Sequence, residues 1–307
     1  SQDVQGESFD YPEVFFEEKI HQIRRIYPDP NQIKEAADKL KNSKQPIIIS
    51  GGGVLYSEAE QTLSNFAKKH NIPVTSTVMG IGCMTKDDPY YISAIGALGE
   101  GSSNNLSKDT DLALAVGTKL ADFTTGSWAN FENPNFKLIS VNTARYDTTK
   151  HLATPVISDA KVGLLQLSEA LGDWRAPDTW YQRAIKERDE WEAYVAKQSG
   201  PTNQEEPSYA HAVGAIYRNS DPSDIVVTAA GGLVGEVVQV WKPKELNTFE
   251  TEWGFSCMGY EISGALGIKM AKPDQDVVVF VGDGSYLLNN SDISVSYTHL
   301  RAHETIA

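Results

Sequence analysis

The stretch Asp276-Val277-Val278-Val279-Phe280-Val281-Gly282-Asp283-Gly284-Ser285 decides how this chain is read. An unbroken valine-rich apolar run suits a strand buried on both faces, as in a parallel sheet. The run stops at two glycines, which let a backbone turn sharply and approach a ligand closely. Between them Asp283 offers a hard carboxylate oxygen. Such a donor can hold Mg²⁺ against a diphosphate, while amides of the turn face its oxygens. Asp-Gly is also a hairpin signal. Tyr286 to Ile293 does not alternate, however, and opens like a helix. Strand, loop, helix is therefore the expected order.

Upstream of this stretch the same β/α rhythm recurs. Pro30 opens a helix to about Asn42, with Ile33, Ala36, Ala37 and Leu40 at helical spacing. Pro46 to Ser50 is a buried strand ending at Gly51-Gly52-Gly53, and Glu58 to His70 is the next helix. Pro73 to Ser76, Asp111 to Val116 and Lys137 to Val141 read as strands, and Val162 to Leu171 as a helix. A second series begins at Ser208 with a helix to about Asn219, the strand Asp224 to Thr228 and the strand Val277 to Val281. The expected class is α/β, with two doubly wound parallel-sheet domains. The expected divisions are a polar connector over residues 1–28, a middle domain over 29–172 and a helical connector over 173–207. A diphosphate-binding domain over 208–293 and an unrelated tail over 294–307 follow.

At 307 residues the chain is long enough for about two domains. Lys and Arg number 27 against 41 Asp and Glu, a net charge of −14. That balance, with no basic run, argues against nucleic acid and anionic membranes as partners. An anionic ligand would need a cation or backbone amides. Cys83 and Cys257 make no disulfide framework and lack zinc-site spacing, so a reducing cytoplasm is expected. The opening Ser1-Gln2-Asp3-Val4 has no initiator Met and reads as part of a longer protein.

Three further segments bear on chemistry. Gly51-Gly52-Gly53 could meet a phosphate at a helix start, but it does not match G-x-G-x-x-G. A tight strand-to-helix turn is the plainer reading. Gly117-Thr118-Lys119 lacks P-loop spacing, which leaves Lys119 a solvated loop residue. Trp253-Gly254-Phe255-Ser256-Cys257-Met258-Gly259-Tyr260-Glu261 runs into a helix that holds Gly264 and Gly267. Each of those glycines costs about 1 kcal/mol against Ala in a helix, so close approach to another backbone is the expected compensation.

The order of Gly231-Gly232, the Met258-Gly259 loop with its small-residue helix, and Gly282-Asp283-Gly284-Ser285 resembles the diphosphate-binding domain of thiamine diphosphate (ThDP) enzymes of the acetolactate synthase type. Residues 30–170 resemble the middle domain of the same family, which holds FAD in some members. Gln2-Asp3-Val4-Gln5, Phe123-Thr124-Thr125-Gly126-Ser127, Gly254 to Glu261 and Gly282 to Leu287 are narrower strings. They resemble a branch that hydrolyses a carbon–carbon bond of a cyclic polyol dione in myo-inositol catabolism, opening trihydroxycyclohexane-1,2-dione to 5-deoxyglucuronate.

The resemblance implies ThDP and Mg²⁺ as cofactors and assigns roles residue by residue. Asp283 would ligate the metal, while Gly284 and Ser285 would contact the diphosphate. Gly231, Gly232 and Leu233 would line the same pocket. Met258 would hold the cofactor bent, and backbone around Ser256 and Met258 would pair with its aminopyrimidine. A shared site implies a homodimer or homotetramer. The family's activating glutamate belongs to an N-terminal domain with no counterpart here, so no catalytic residue is assigned. The family's second metal ligand, an asparagine further downstream, has no match either. Asn289 and Asn290 come too early and read as helix-capping residues. The tail from Ser294 to Ala307 leaves the family pattern and resembles a translated sequencing adapter; His299 and His303 in it lack a third metal ligand. A carboligase that uses FAD and a non-catalytic nucleotide-binding module are the competing functions.

Overall fold

The computed structural model describes residues 2–22 and 24–298. Six strands form the first sheet: β1 (Pro46–Ser50), β2 (Val74–Ser76), β3 (Tyr91–Ala94), β4 (Leu112–Val116), β5 (Lys137–Asn142) and β6 (Thr154–Ile157). All pairings are parallel and the order is β3-β2-β1-β4-β5-β6. This is the doubly wound order in which the chain reverses direction between β1 and β4.

The residue pattern accounts for the two helical layers. Successive side chains on a strand point to opposite faces. Ile48, Leu112, Leu114 and Val116 meet Ile33, Leu40, Leu63, Phe66 and Leu164 on one side. Ile47, Ile49, Ala113 and Ala115 meet Leu106, Trp180 and Ala184 on the other. Both faces must be apolar for that, and they are. The helix Pro30–Asn42 starts where Asp29 accepts the Asn31 amide at 2.7 Å and Pro30 fills the first helical position. The segment read as a connector folds onto the sheet: the helix Asp178–Gln198 buries Trp180, whose indole N–H donates to the Pro46 carbonyl at 2.8 Å.

The second sheet holds β7 (Ile225–Thr228), β8 (Phe249–Thr251) and β9 (Val277–Val279), parallel and ordered β8-β7-β9. The apolar run that was expected to be buried on both faces becomes a shorter strand, and Val279 is 37% exposed. The reason is position: among the described residues β9 pairs with β7 alone, so its other edge stays open. One apolar cluster joins the two halves, with Ala94 of β3 and Val78 and Ile81 of the turn after β2 packed among Val226, Phe249 and the Leu233–Val240 helix residues Val234 and Val237 with Trp241 beyond it.

The triple glycine after β1 also has a packing cause. Gly51 N–H donates to the Val116 carbonyl and Gly53 N–H to the Gly117 carbonyl, both at 2.9 Å. A Cβ on Gly53 would lie 2.6 Å from the Gly117 Cα. Two backbones touch here, and two of the turn's amides are already bonded within the protein. We expect Gly53→Ala to lower unfolding free energy by about 2 kcal/mol in urea denaturation.

Candidate cofactor site

A parallel sheet gathers its loops. The chain leaves β7, β8 and β9 from the same edge, so 229–232, 252–259 and 280–282 emerge side by side at the carboxyl ends of three neighbouring strands. Ligands of open α/β sheets bind at that edge.

Every residue that sequence reasoning marked for the cofactor falls in these loops or the helix starts behind them. Gly231 has φ +85°, a conformation that favours glycine. Nothing lies within 4 Å of a Cβ built on Gly231, Gly232 or Gly282. Among the described residues no acceptor meets the amides of Gly231, Gly232 or Leu233. Leu233 begins the helix Leu233–Val240, so its N–H points out of the first turn. Open glycines and free amides fit an anionic oxygen-rich group such as a diphosphate.

Asp283 is exposed at the first position of the helix Asp283–Asn289, where Oδ1 accepts the Gly284 amide at 2.8 Å. A carboxylate there suits a hard cation. Among the described residues Asp283 belongs to no cluster of three or more His, Cys, Asp or Glu. Ser285 beside it is buried. Met258 is half exposed and reaches across: a Cβ on Gly284 would meet its Cε at 2.9 Å. The expected wedge and the Gly-Asp-Gly turn are thus in contact.

The loop that carries Ser256 and Met258 is shaped by a residue that sequence reasoning missed. Glu252 accepts the Phe255 amide at 3.0 Å and the Cys257 amide at 2.7 Å. Those hydrogen bonds, the Cys257 one foremost, hold its carboxyl below the usual range. Ser256 has φ +55°, and its hydroxyl donates to the Ala229 carbonyl at 3.3 Å, which links this loop to the one after β7. Glu261 was missed as well; it is wholly buried behind the same loops.

Three expectations are corrected. Gly264 packs against the Tyr260 ring of its own helix and Gly267 faces open space, so neither receives a second backbone. Asn289 is no cap: its Nδ2 donates to the Gly259 carbonyl, Ser263 Oγ and Asp292 Oδ2, tying the Asp283–Asn289 helix to the start of the Tyr260–Ala271 helix. Asn290 precedes the helix Ser291–Ser296 but makes no side-chain cap bond. That helix covers the first residues of the segment read as an unrelated tail. His299, His303 and the rest of that segment from 299 onward lie outside the described residues.

Between the two sheets lies a cavity of about 480 Å³, lined by Gly52, Thr118 and Lys119 at the β1/β4 reversal and by Phe123, Trp253 and Ser256. Phe123 and Trp253 close one wall edge to face, with centroids 5.4 Å apart.

Comparison with known proteins gives this geometry a family. Residues 33–167 match the thiamine pyrophosphate enzyme central domain, and residues 229–300 match the thiamine pyrophosphate enzyme C-terminal TPP binding domain. The chain belongs to the thiamine pyrophosphate enzymes. Similar curated relatives carry the name 3D-(3,5/4)-trihydroxycyclohexane-1,2-dione hydrolase. They include those of Geobacillus thermodenitrificans (35% identical over 96% of this chain and 49% of the relative) and Clostridium tetani (36%, over 96% and 50%). That of Clostridium perfringens is 35% identical over 95% of this chain and 49% of the relative. The chain spans about half the length of the curated relatives it matches.

Proposed function

We propose that the protein containing this chain is a ThDP- and Mg²⁺-dependent hydrolase that opens the ring of a trihydroxycyclohexane-1,2-dione to 5-deoxyglucuronate. The observation that carries the reading is the convergence of the open glycine turn at 231–232, the Met258 loop and the Asp283 turn on one sheet edge. The names of its relatives supply the substrate. Homo-oligomeric assembly and cytoplasmic residence belong to the same proposal.

The residues divide the work. Amides of Gly231, Gly232 and Leu233 would hold the diphosphate oxygens, with Gly284 and Ser285 opposite. Asp283 would bind the Mg²⁺ that offsets their charge, which an acidic chain of net −14 cannot do by itself. Met258, half exposed beside Gly284, would pack against the bound cofactor. Backbone polar groups of the loop that Glu252 holds in shape would pair with the aminopyrimidine. Bound there, ThDP supplies the electron sink for carbon–carbon cleavage. The cavity beside Ser256 would receive the cyclic substrate, with the Phe123–Trp253 wall limiting access of bulk water.

The test is an assay of the full-length protein with ThDP and Mg²⁺. Ring-opened acid should form from the cyclic dione at a rate at least about a hundred times that of acetolactate formation from pyruvate, and the purified protein should show no flavin absorbance. Carboligation of pyruvate as the faster reaction, with bound flavin, would establish the carboligase instead.

A further inference from the structure

Glu261 has no place in the cofactor contacts just described, yet its burial is complete. Taking a carboxylate out of water is costly unless its oxygens are bonded. Here they are met by backbone rather than by a cation: Oε1 accepts the Ala230 amide at 3.1 Å and Oε2 accepts the Gly259 amide at 3.0 Å. As the second residue of the helix Tyr260–Ala271 it also lies where the helix dipole favours a negative charge.

The two amides come from different loops, and each lies at or beside a glycine in the left-handed region. Ala230 adjoins Gly231, at φ +85°, and Gly259 itself has φ +95°. Glycine adopts that region without the strain a side chain would bring. One carboxylate therefore fixes both. In the reading given above, the loop at 231–233 meets the diphosphate and the loop at 256–258 meets the aminopyrimidine, so the spacing of these loops sets the length and bend of the cofactor that fits.

We infer that Glu261 is a positioning residue: by clamping the Ala230 and Gly259 amides it sets the separation of the two cofactor-binding loops. This rests on the proposed ThDP function. A carboxylate is needed because both partners are donors. Gln keeps the size and one acceptor, but its NH₂ group must face the second N–H, and one loop is released.

The experiment is ThDP titration of the full-length protein at saturating Mg²⁺, followed by tryptophan fluorescence, with the thermal midpoint of the apo protein as companion. Glu261→Gln should raise the Kd about tenfold, and Glu261→Ala further. Val238→Ala, a fully buried core change in the same domain, should lower the midpoint and leave the Kd unchanged. If Glu261→Gln does not fold, Glu261→Asp, which keeps the charge but is one methylene too short to span both loops, is read the same way. An unchanged or tighter Kd in the glutamate variants overturns the clamp while leaving the ThDP reading intact. So does an equal loss of affinity in Val238→Ala at matched midpoint, since stability alone would then explain the effect. Wild-type protein that binds no ThDP overturns the functional reading and the clamp together.

Discussion

Asp283→Ala should raise the Kd for ThDP by at least about a hundredfold when Mg²⁺ is present, equivalent to about 2.7 kcal/mol. The size follows from the donor set. Asp283 stands alone on its turn, with no cluster of acidic or histidine ligands around it among the described residues. With no such cluster to take over, the metal's other ligands would be diphosphate oxygens, water or groups from elsewhere, and loss of Asp283 should weaken its hold strongly. Asp283→Asn keeps an oxygen but loses the charge and should fall between. Because Asp283 is exposed, neither change should alter folding stability beyond about 0.5 kcal/mol. Calorimetric titration with and without Mg²⁺ gives the readout. Wild type and Asp283→Ala should converge once the metal is removed, and identical affinity with metal present would rule out the ligand role.

Lys242→Ala should cost about 3 to 5 kcal/mol of stability near pH 7, the penalty for stranding a buried charge. Lys242, just beyond the helix Leu233–Val240, forms an ion pair with Glu100, which is buried at the start of the helix Gly101–Asp109 beside the first sheet. Burial pushes the Glu100 carboxyl above its ordinary value, and Lys242 pulls it back. A carboxyl raised in the folded state carries no penalty below its unfolded pKa and destabilises as pH climbs through the folded value. Without Lys242 the upward push is unopposed. The gap between variant and wild type should therefore be widest at neutral pH and shrink as the pH falls towards the carboxyl range. Urea denaturation across that interval measures it, and a gap that widens on acidification would contradict the pairing. The double variant Glu100→Gln/Lys242→Met should recover much of the loss, because no uncompensated charge remains.

Legibility in the sequence followed burial. β1 and β4 announce themselves because Ile47-Ile48-Ile49 and Leu112-Ala113-Leu114-Ala115-Val116 must satisfy helices on both faces. β8 (Phe249-Glu250-Thr251) and β3 (Tyr91-Ile92-Ser93-Ala94) carry polar residues and are too short for a period to show. β6 contains Pro155, which a sheet tolerates at its edge, where β6 lies. The helix Leu233–Val240 is rich in valine, whose branching favours strands, and tertiary packing of Val234, Val237 and Val238 overrides that preference. At the site, Asp283 could be picked out because glycines flank it, and Met258 through the family resemblance of its loop. Glu252 and Glu261 could not. Each is a single acid in a mixed stretch, and its partners are backbone amides that no side-chain pattern encodes.

The apolar cluster that Val78, Ile81 and Ala94 share with Val226, Val237 and Phe249 makes neither half of this chain a transplantable module. Grafting the cofactor-binding half onto another scaffold would bare its valines to solvent. The half left behind would expose Val78 and Ile81 in turn. A chimera that keeps the seam intact must therefore carry both sides of it together.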